Sequence, residues 1–405
     1  MAMAHRHIGF VVSSLLSLCT ASLVASSSAL AMRGLDPMAG SLAGSSAVEV
    51  APLPTLSDRA QQLEEQAGAL YRQGRYEEAL QAQRDSVASH RQLVAQDPSQ
   101  RLRLAASLHN LGVVLIRLGQ KPEAIPPTLE ALTLYRAPAS TQGGEASVAM
   151  ERPLRNLVLL YYETHRPQEA LPLADELVRL HQRAPIDNDA SEAAQIDVFN
   201  LRASLLVALN RPREALQDLE RAVSLARRQV NQAPQALALR HGLAGSLLNQ
   251  SQVADVLGQW EAAIPPAREA EALLSELARL HSGLSGDWAK ALNRLGQAYA
   301  RTGDAARARP PLETAVALLR GLDPAGPSGS LAVEVGGYRD DLAQALDTLA
   351  VVNQHLQRPT EARAAGEEAL RIYSALVQVE PRYQADVQRI RAWLSPGPEI
   401  IPARR

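Results

Sequence analysis

One cysteine, two phenylalanines, three tryptophans and two lysines are all that the 405 residues hold of these four types. The cysteine, Cys19, stands near the start, so the rest of the chain can form no disulfide, thiolate metal site or cysteine nucleophile. Aromatic residues make up only 3%, too few for a sandwich or barrel, whose strands draw on aromatic and β-branched side chains. Charge of one sign is also missing. Forty-one basic and 43 acidic residues leave a formal −2, which gives no field to attract nucleic acid or an anionic membrane. Lys121 and Lys290 are the only lysines, and the arginines that carry the remaining positive charge are scattered.

The chain also lacks a G-x-S-x-G elbow, an H-E-x-x-H pair, a phosphate-cradling glycine loop and a dinucleotide fingerprint. Nine histidines show no metal-ligand spacing. Asp187-Asn188-Asp189 lacks the Gly and the Glu of a calcium loop. With Ser191 and Glu192 following, it reads as the cap of a helix. These absences predict a non-enzymatic chain without metal or cofactor.

Residues 1–31 have the order of a secretory signal peptide. Arg6 lies between His5 and His7, an uncharged stretch follows, and Ala29-Leu30-Ala31 supplies small residues for cleavage. The expected mature chain starts near Met32 and is periplasmic or extracellular. An uncleaved membrane anchor formed by residues 8–31 is the alternative, with lipidation of Cys19 as a third option. Residues 32–57, rich in Gly, Ser, Ala and Pro, read as a flexible linker.

Helix formers dominate what remains. Leu104, Leu108, Leu111, Leu115 and Leu118 are spaced to lay one apolar stripe along a helix that Gly119 ends. A second amphipathic stretch opens at Ala124, completing a helical hairpin. That unit recurs. Small residues early in the second helix stand at Ala79, Ala124, Ala170, Ala215, Ala263, Ala308 and Ala362, a period of 45 to 54 residues. Five residues before each comes Gly74, Gly119, His165, Asn210, Gly258, Gly303 or Gln357, where a turn between helices favours a left-handed conformation. Twelve residues before each, Ala67, Gly112, Val158, Ala203, Ser251, Gly296 and Ala350 are mostly small, as close helix packing requires. Seven residues after each, Ser86, Ala131, Leu177, Ala222, Ala270, Ala315 and Ala369 are small apart from Leu177.

This pattern resembles the tetratricopeptide repeat family, with Leu111-Gly112, Leu115, Gly119, Ala124 and Ala131 as one clear copy and Leu295-Gly296, Tyr299, Gly303, Ala308 and Ala315 as another. The long period is similar to that of kinesin light chains and related bacterial scaffolds. Pro126-Pro127, Pro172, Pro265-Pro266 and Pro310-Pro311 also match the longer repeats, and near the helix start proline meets N–H groups that lack partners anyway. Arg202 and Gln250 depart from the family's Leu position, and Asn353 from its aromatic position. The resemblance implies an all-α, right-handed α-α superhelix of about seven hairpins over residues 58–382. A capping helix over 383–394 and a tail over 395–405 follow. A Gly/Pro/Ser-rich insert, Asp323 to Gly337, reads as a hinge or long loop before the seventh hairpin.

Such arrays bind a protein or peptide segment in a concave groove lined by the first helix of each hairpin. The repeat phase puts Glu64, His109, Arg155, Asn200, Asn293 and Asp347 at one groove-facing position, and Tyr71, Tyr162, Asp255 and Gln354 at another. Asn110, Asn156 and Asn249 share an adjacent position, where the family uses asparagine to hold peptide backbone; bridging between neighbouring helices is the alternative role. Chaperone-binding members of the family hold a terminal carboxylate with five residues over three repeats. Asn249 matches the middle member and Lys290 and Arg294 the last two, while Asn200 and Ser204 stand at the first two places. Lys290 and Arg294 lie one turn apart, so their charges repel unless an anion sits between them. The expected partner is therefore a protein or peptide and not a nucleic acid. A membrane is involved only if the leader is uncleaved or Cys19 is lipidated. An envelope assembly subunit acting through its convex surface is the alternative.

Overall fold

The structure, a computed structural model, describes residues 55–142, 144–183, 189–322 and 333–395. The leader, nearly all of the linker, Asp187-Asn188, residues 323–332 of the insert and all of the tail but Ser395 lie outside the described residues. Among the described residues there are fifteen α-helices, three short 3-10 turns and no strand. None of these helices is long and apolar enough to cross a membrane.

Two compact units divide between Leu209 and Asn210. The first contains α1 (Leu56–Arg72), α2 (Tyr76–Gln96), α3 (Arg101–Arg117), α4 (Lys121–Gln142), α5 (Gly144–Glu163), α6 (Pro167–Arg183) and α7 (Asp189–Ala208). Each helix packs on the next along the chain. The second contains α8 (Pro212–Gln232), α9 (Leu237–Val256), α10 (Trp260–Leu280), α11 (Ser285–Arg301), α12 (Ala305–Leu322), α13 (Val333–His355), α14 (Pro359–Leu376) and α15 (Gln384–Leu394). Successive helices pack here too, and α9 also touches α11, as α11 touches α13. By repeat phase the odd-numbered helices α1 to α13 are first, or A, helices and the even-numbered ones B helices, and within the two units they form six hairpins. α15 closes the series.

All seven predicted turn residues have positive φ, from 57° at Gln357 to 80° at Gly303. Six of the turns close with an N–H donating to a carbonyl five residues back, as from Gln120 to Leu115 (2.9 Å) and from Arg358 to Asn353 (2.9 Å). This is the geometry that ends a helix through one left-handed residue. The phased alanines Ala79, Ala124, Ala170, Ala215, Ala263, Ala308 and Ala362 are at most 1% exposed. At the position twelve residues earlier, a Cβ on Gly112 would collide with the Thr128 side chain, and one on Gly296 with Leu312. Ser251, at the same phase, donates its hydroxyl to the Ala263 carbonyl at 2.8 Å.

Two expectations are corrected. The helical prolines fall at the sixth and seventh residues of α4, α10 and α12 and the sixth of α6, so they occupy the second turn and not the first. Their rings remove i→i−4 bonds, and the residues four positions back, Pro122, Glu123, Glu261 and Ala262 among them, are exposed, where water donates to the carbonyl in place of the lost N–H. The insert is also shorter than the composition suggests, because α13 starts at Val333 and takes residues 333–337 as helix.

Candidate functional site

On the second unit, the faces that α9, α11 and α13 turn toward one another form one polar network. His241 of α9 meets Asp287 of α11, with Nε2 and Oδ2 2.9 Å apart. Lys290 Nζ lies 3.6 Å from the other oxygen of Asp287. One helical turn on, Arg294 interacts with Asp255 of α9 and Asp341 of α13. Arg301 Nε reaches Asp255 at 3.3 Å. Asn293 donates to the backbone carbonyl of Asp341 (3.5 Å) and accepts from Gln297 (3.2 Å). At the end of the unit Arg389 of α15 pairs with Asp347 at 2.7 Å.

Burial and charge set the ionisation of these carboxylates. Burial raises the Asp287 pKa, but the His241 hydrogen bond and the Lys290 charge outweigh it, so the group ends below its ordinary value. Asp341 is pushed up to about 7, chiefly by burial and further by Asp340 and Asp287, against the pull of Lys290 and Arg294. Burial also lowers the Arg294 pKa.

The first unit bridges its A helices in the same manner. Asn110 Nδ2 donates to Glu64 Oε1 at 3.1 Å, and Arg117 Nε donates to the Tyr71 hydroxyl at 2.8 Å, both from α3 to α1. Arg155 pairs with Glu151 on its own helix at 2.9 Å and lies 3.6 Å from Asp197 of α7. His109 has its pKa lowered to about 4 by burial, with help from Arg152.

The candidate residues therefore separate by environment. Lys290, Asn293 and Arg294 share α11 and one network. Asn110, His109, Asn156 and Arg155 belong to the other unit. Asn110 and Arg155 bridge neighbouring A helices, and Asn156 is half-buried. Asn249 is 2% exposed and Asn293 is 4%, so neither presents its amide freely to solvent. Asn200 is buried as well, donating to the Ile196 carbonyl four residues back at 3.0 Å. Asp287 lies 3.6 Å from Lys290, and Arg294 feels the charges of Asp255 and Asp341.

His241, Asp287 and Asp341 were not singled out from the sequence, although the offset gives a signal. Asn110 follows Glu64, and Arg117 follows Tyr71, by the same 46 residues that separate Asp287 from His241 and Arg301 from Asp255. The B helices carry a second series. Arg91 pairs with Glu130 at 2.7 Å and Arg136 with Glu176 at 2.5 Å; Arg227 pairs with Glu269 and Arg320 with Glu368. Each Arg lies twelve residues after its phased Ala and each Glu six after the next.

Two clefts lie at one repeat phase, the first between the B helices α2 and α4 over the A helix α3 and the second between the B helix α8 and the A helix α9. One, of 380 Å³, has Val87, Leu108, Leu111, Leu115, Pro126 and Pro127 in its lining. Another, of 560 Å³, has Arg227, Arg228 and Asn231 on its walls, with Gln250 where the first has Leu111. Arg202 fills the same repeat position on α7, and its Nη1 reaches Asp175 of α6 at 3.0 Å.

Tetratricopeptide repeat models match residues 67–98, 104–137, 288–321 and 342–381, and a second such model matches 196–229. Similar solved structures include BtubC (BKLC) from P. vanneervenii, 20% identical with a TM-score of 0.48, covering 63% of this chain and 92% of that one. A tetratricopeptide repeat protein from Parabacteroides merdae is 16% identical with a TM-score of 0.44, covering 82% and 99%. Kinesin light chain-like repeats of Podosopora anserina are 18% identical with a TM-score of 0.41, covering 55% and 97%. No curated protein matches the chain.

Proposed function

The chain is a tetratricopeptide repeat protein, and from that premise we propose that it is a non-enzymatic, exported scaffold that holds a protein or peptide segment on the A-helix face of its repeats. The observation that carries this reading is the polar network of α9, α11 and α13, in which His241, Asp287, Lys290 and Arg294 come together on adjacent A helices. Residues of this kind offer hydrogen bonds and charge to a partner's backbone and side chains, at positions set by rigid helices. Export rests on residues 1–31, whose charged start, apolar stretch and Ala29-Leu30-Ala31 end suit a secretion signal.

A second reading is favoured by the B-helix clefts. In it the chain is an envelope assembly or regulatory subunit, anchored by residues 8–31, whose partner enters between B helices. The apolar lining by Val87 of α2 and Pro126 and Pro127 of α4, over a floor of Leu108, Leu111 and Leu115 of α3, supports it.

One experiment compares the two. Chain recovered from fractionated cells is sequenced from its N-terminus, and partner capture is repeated with Lys290→Ala and Leu111→Asp. The scaffold reading expects a start near Met32 in a soluble exported fraction, with capture reduced by Lys290→Ala alone. A chain retained in the membrane, with capture lost only in Leu111→Asp, selects the second reading.

A further inference from the structure

The cleft over α3 keeps an apolar floor open. Leu111 is half-buried there, whereas Leu157, Leu295 and Leu349 at the same repeat phase are at most 8% exposed. Leu108 and Leu115 complete the floor, and Val87 of α2 and Pro126 and Pro127 of α4 stand on the walls. Neither proline carries an N–H, so the carbonyls of Pro122 and Glu123 have no helix donor four residues on, and both residues are exposed. Arg91 and Glu130, 39 residues apart in the chain, join the walls at 2.7 Å. Arg84 and Glu123 repeat that offset about two turns earlier, and both line the cleft. Neither makes an ion pair or a side-chain hydrogen bond among the described residues. The open mouth therefore offers, from α2 to α4, a cation, an apolar floor and an anion.

We propose that this cleft takes the C-terminal segment of a second copy of the chain, residues 399–405, which carries the complementary order Glu399, Ile400-Ile401 and Arg404-Arg405. The segment lies outside the described residues. Crossing from α2 to α4, it sets Glu399 against Arg84, the two isoleucines over Leu111 and Arg404 against Glu123. Pro398 and Pro402 suit extended backbone and not helix, and extended backbone brings N–H donors to the carbonyls of Pro122 and Glu123. Covering the leucine floor with isoleucine removes apolar surface from water, which supplies the attraction, while the flanking charges fix the direction. The linker suits the cleft less well, because its Val48, Glu49, Val50 and Leu53 are followed by no cation until Arg59 of α1. Cleft and segment are different surfaces, so the contact is heterologous and either closes in a ring or extends along a row of chains. The proposal goes beyond the scaffold reading and does not rest on it, since that reading assigns partners to the A helices.

The test follows the full chain by sedimentation velocity at low salt. The unaltered chain is expected to rise in mass above a single chain as its concentration increases, and Leu111→Asp and Ile401→Asp each to stay single. Mixed in equal amounts, these two variants are expected to form a complex of two chains and nothing larger, because one keeps the segment and the other keeps the cleft. Charge reversals outside the core keep the test decisive should Leu111→Asp fail to fold. Arg84→Glu and Glu399→Arg should each weaken association about tenfold, and the chain carrying both should regain it to within about twofold. A single-chain mass at every concentration overturns the proposal, whether the segment sits in its own chain's cleft or the cleft serves another protein. Association that Ile401→Asp leaves intact overturns it too, as does a double reversal no tighter than either single one.

Discussion

The Ser251 hydroxyl donates to the carbonyl of Ala263 at 2.8 Å, and that contact marks where the two helices of a hairpin come closest. At the same phase, a Cβ on Gly112 or Gly296 would lie 3.5 or 3.2 Å from the Ala124 or Ala308 carbonyl and collide with a B-helix side chain. Gly112→Ala and Gly296→Ala are therefore expected to destabilise the chain by about 1–3 kcal/mol each, as overpacking does. Thr128 is itself bonded to the Ala124 carbonyl at 2.7 Å, so it resists moving aside. Thermal melts followed by circular dichroism check this, and an unchanged melting temperature in both variants contradicts it.

Left-handed turn residues give the opposite sign. His165, Asn210 and Gln357 hold φ near 58°, a conformation disfavoured for residues with a Cβ by about 1–2 kcal/mol. His165→Gly and Gln357→Gly should each stabilise by roughly 1 kcal/mol, with a smaller gain at Asn210, because asparagine visits this region more readily. Gly119→Ala should lose a similar amount. Urea midpoints for the four variants measure the effect.

The Arg–Glu pairs between B helices contribute little stability. Arg91 and Glu130 are both substantially exposed, and exposed pairs of this kind are worth about 0.2–1 kcal/mol. Arg91→Ala should shift the melting temperature only slightly, and the shift should shrink in high salt. A loss that persists in high salt would assign Arg91 a packing role.

Stability should depend on pH with two opposed signs. For Asp341, held at about 7, the folded chain binds more protons than the unfolded chain between about 4 and 7, so its contribution falls as pH rises through that window. Asp341→Asn is accordingly near neutral at pH 4 and stabilising by roughly 2–4 kcal/mol at pH 8. His109, lowered to about 4, contributes fully above about 6.5 and loses that contribution as pH falls toward 4. Urea unfolding of Asp341→Asn and His109→Gln across pH 4–8 separates the two. An Asp341→Asn chain no more stable than the original at pH 8 contradicts the assignment.

The hairpins were legible because their determinants are local. A left-handed residue such as Gly119, a buried alanine such as Ala124 and a close approach at Gly112 each act within one hairpin, and a fixed phase repeats them. Depth and partnership were less legible. Phase puts Asn249 beside Asn110 and Asn156 without showing that it is buried, because that depends on packing around α9. Phase likewise marks Asn110 as polar and groove-facing, but its partner Glu64 lies one whole repeat earlier. Arg202 looks like an error at a leucine position until Asp175 is seen beside it. The prolines were misplaced by one turn because the alanine that marks each B helix is its fourth residue and not its first.

Site-specific photocrosslinking in intact cells shows whether partners lie on the A helices. A benzoylphenylalanine is introduced singly at Gln297 and Gln354 on A helices of the second unit and at Glu313 and Thr314 on a B helix. Partner binding on the A helices gives the same protein adduct from Gln297 and Gln354 and none from Glu313 or Thr314. Adducts from the B-helix positions alone would contradict it.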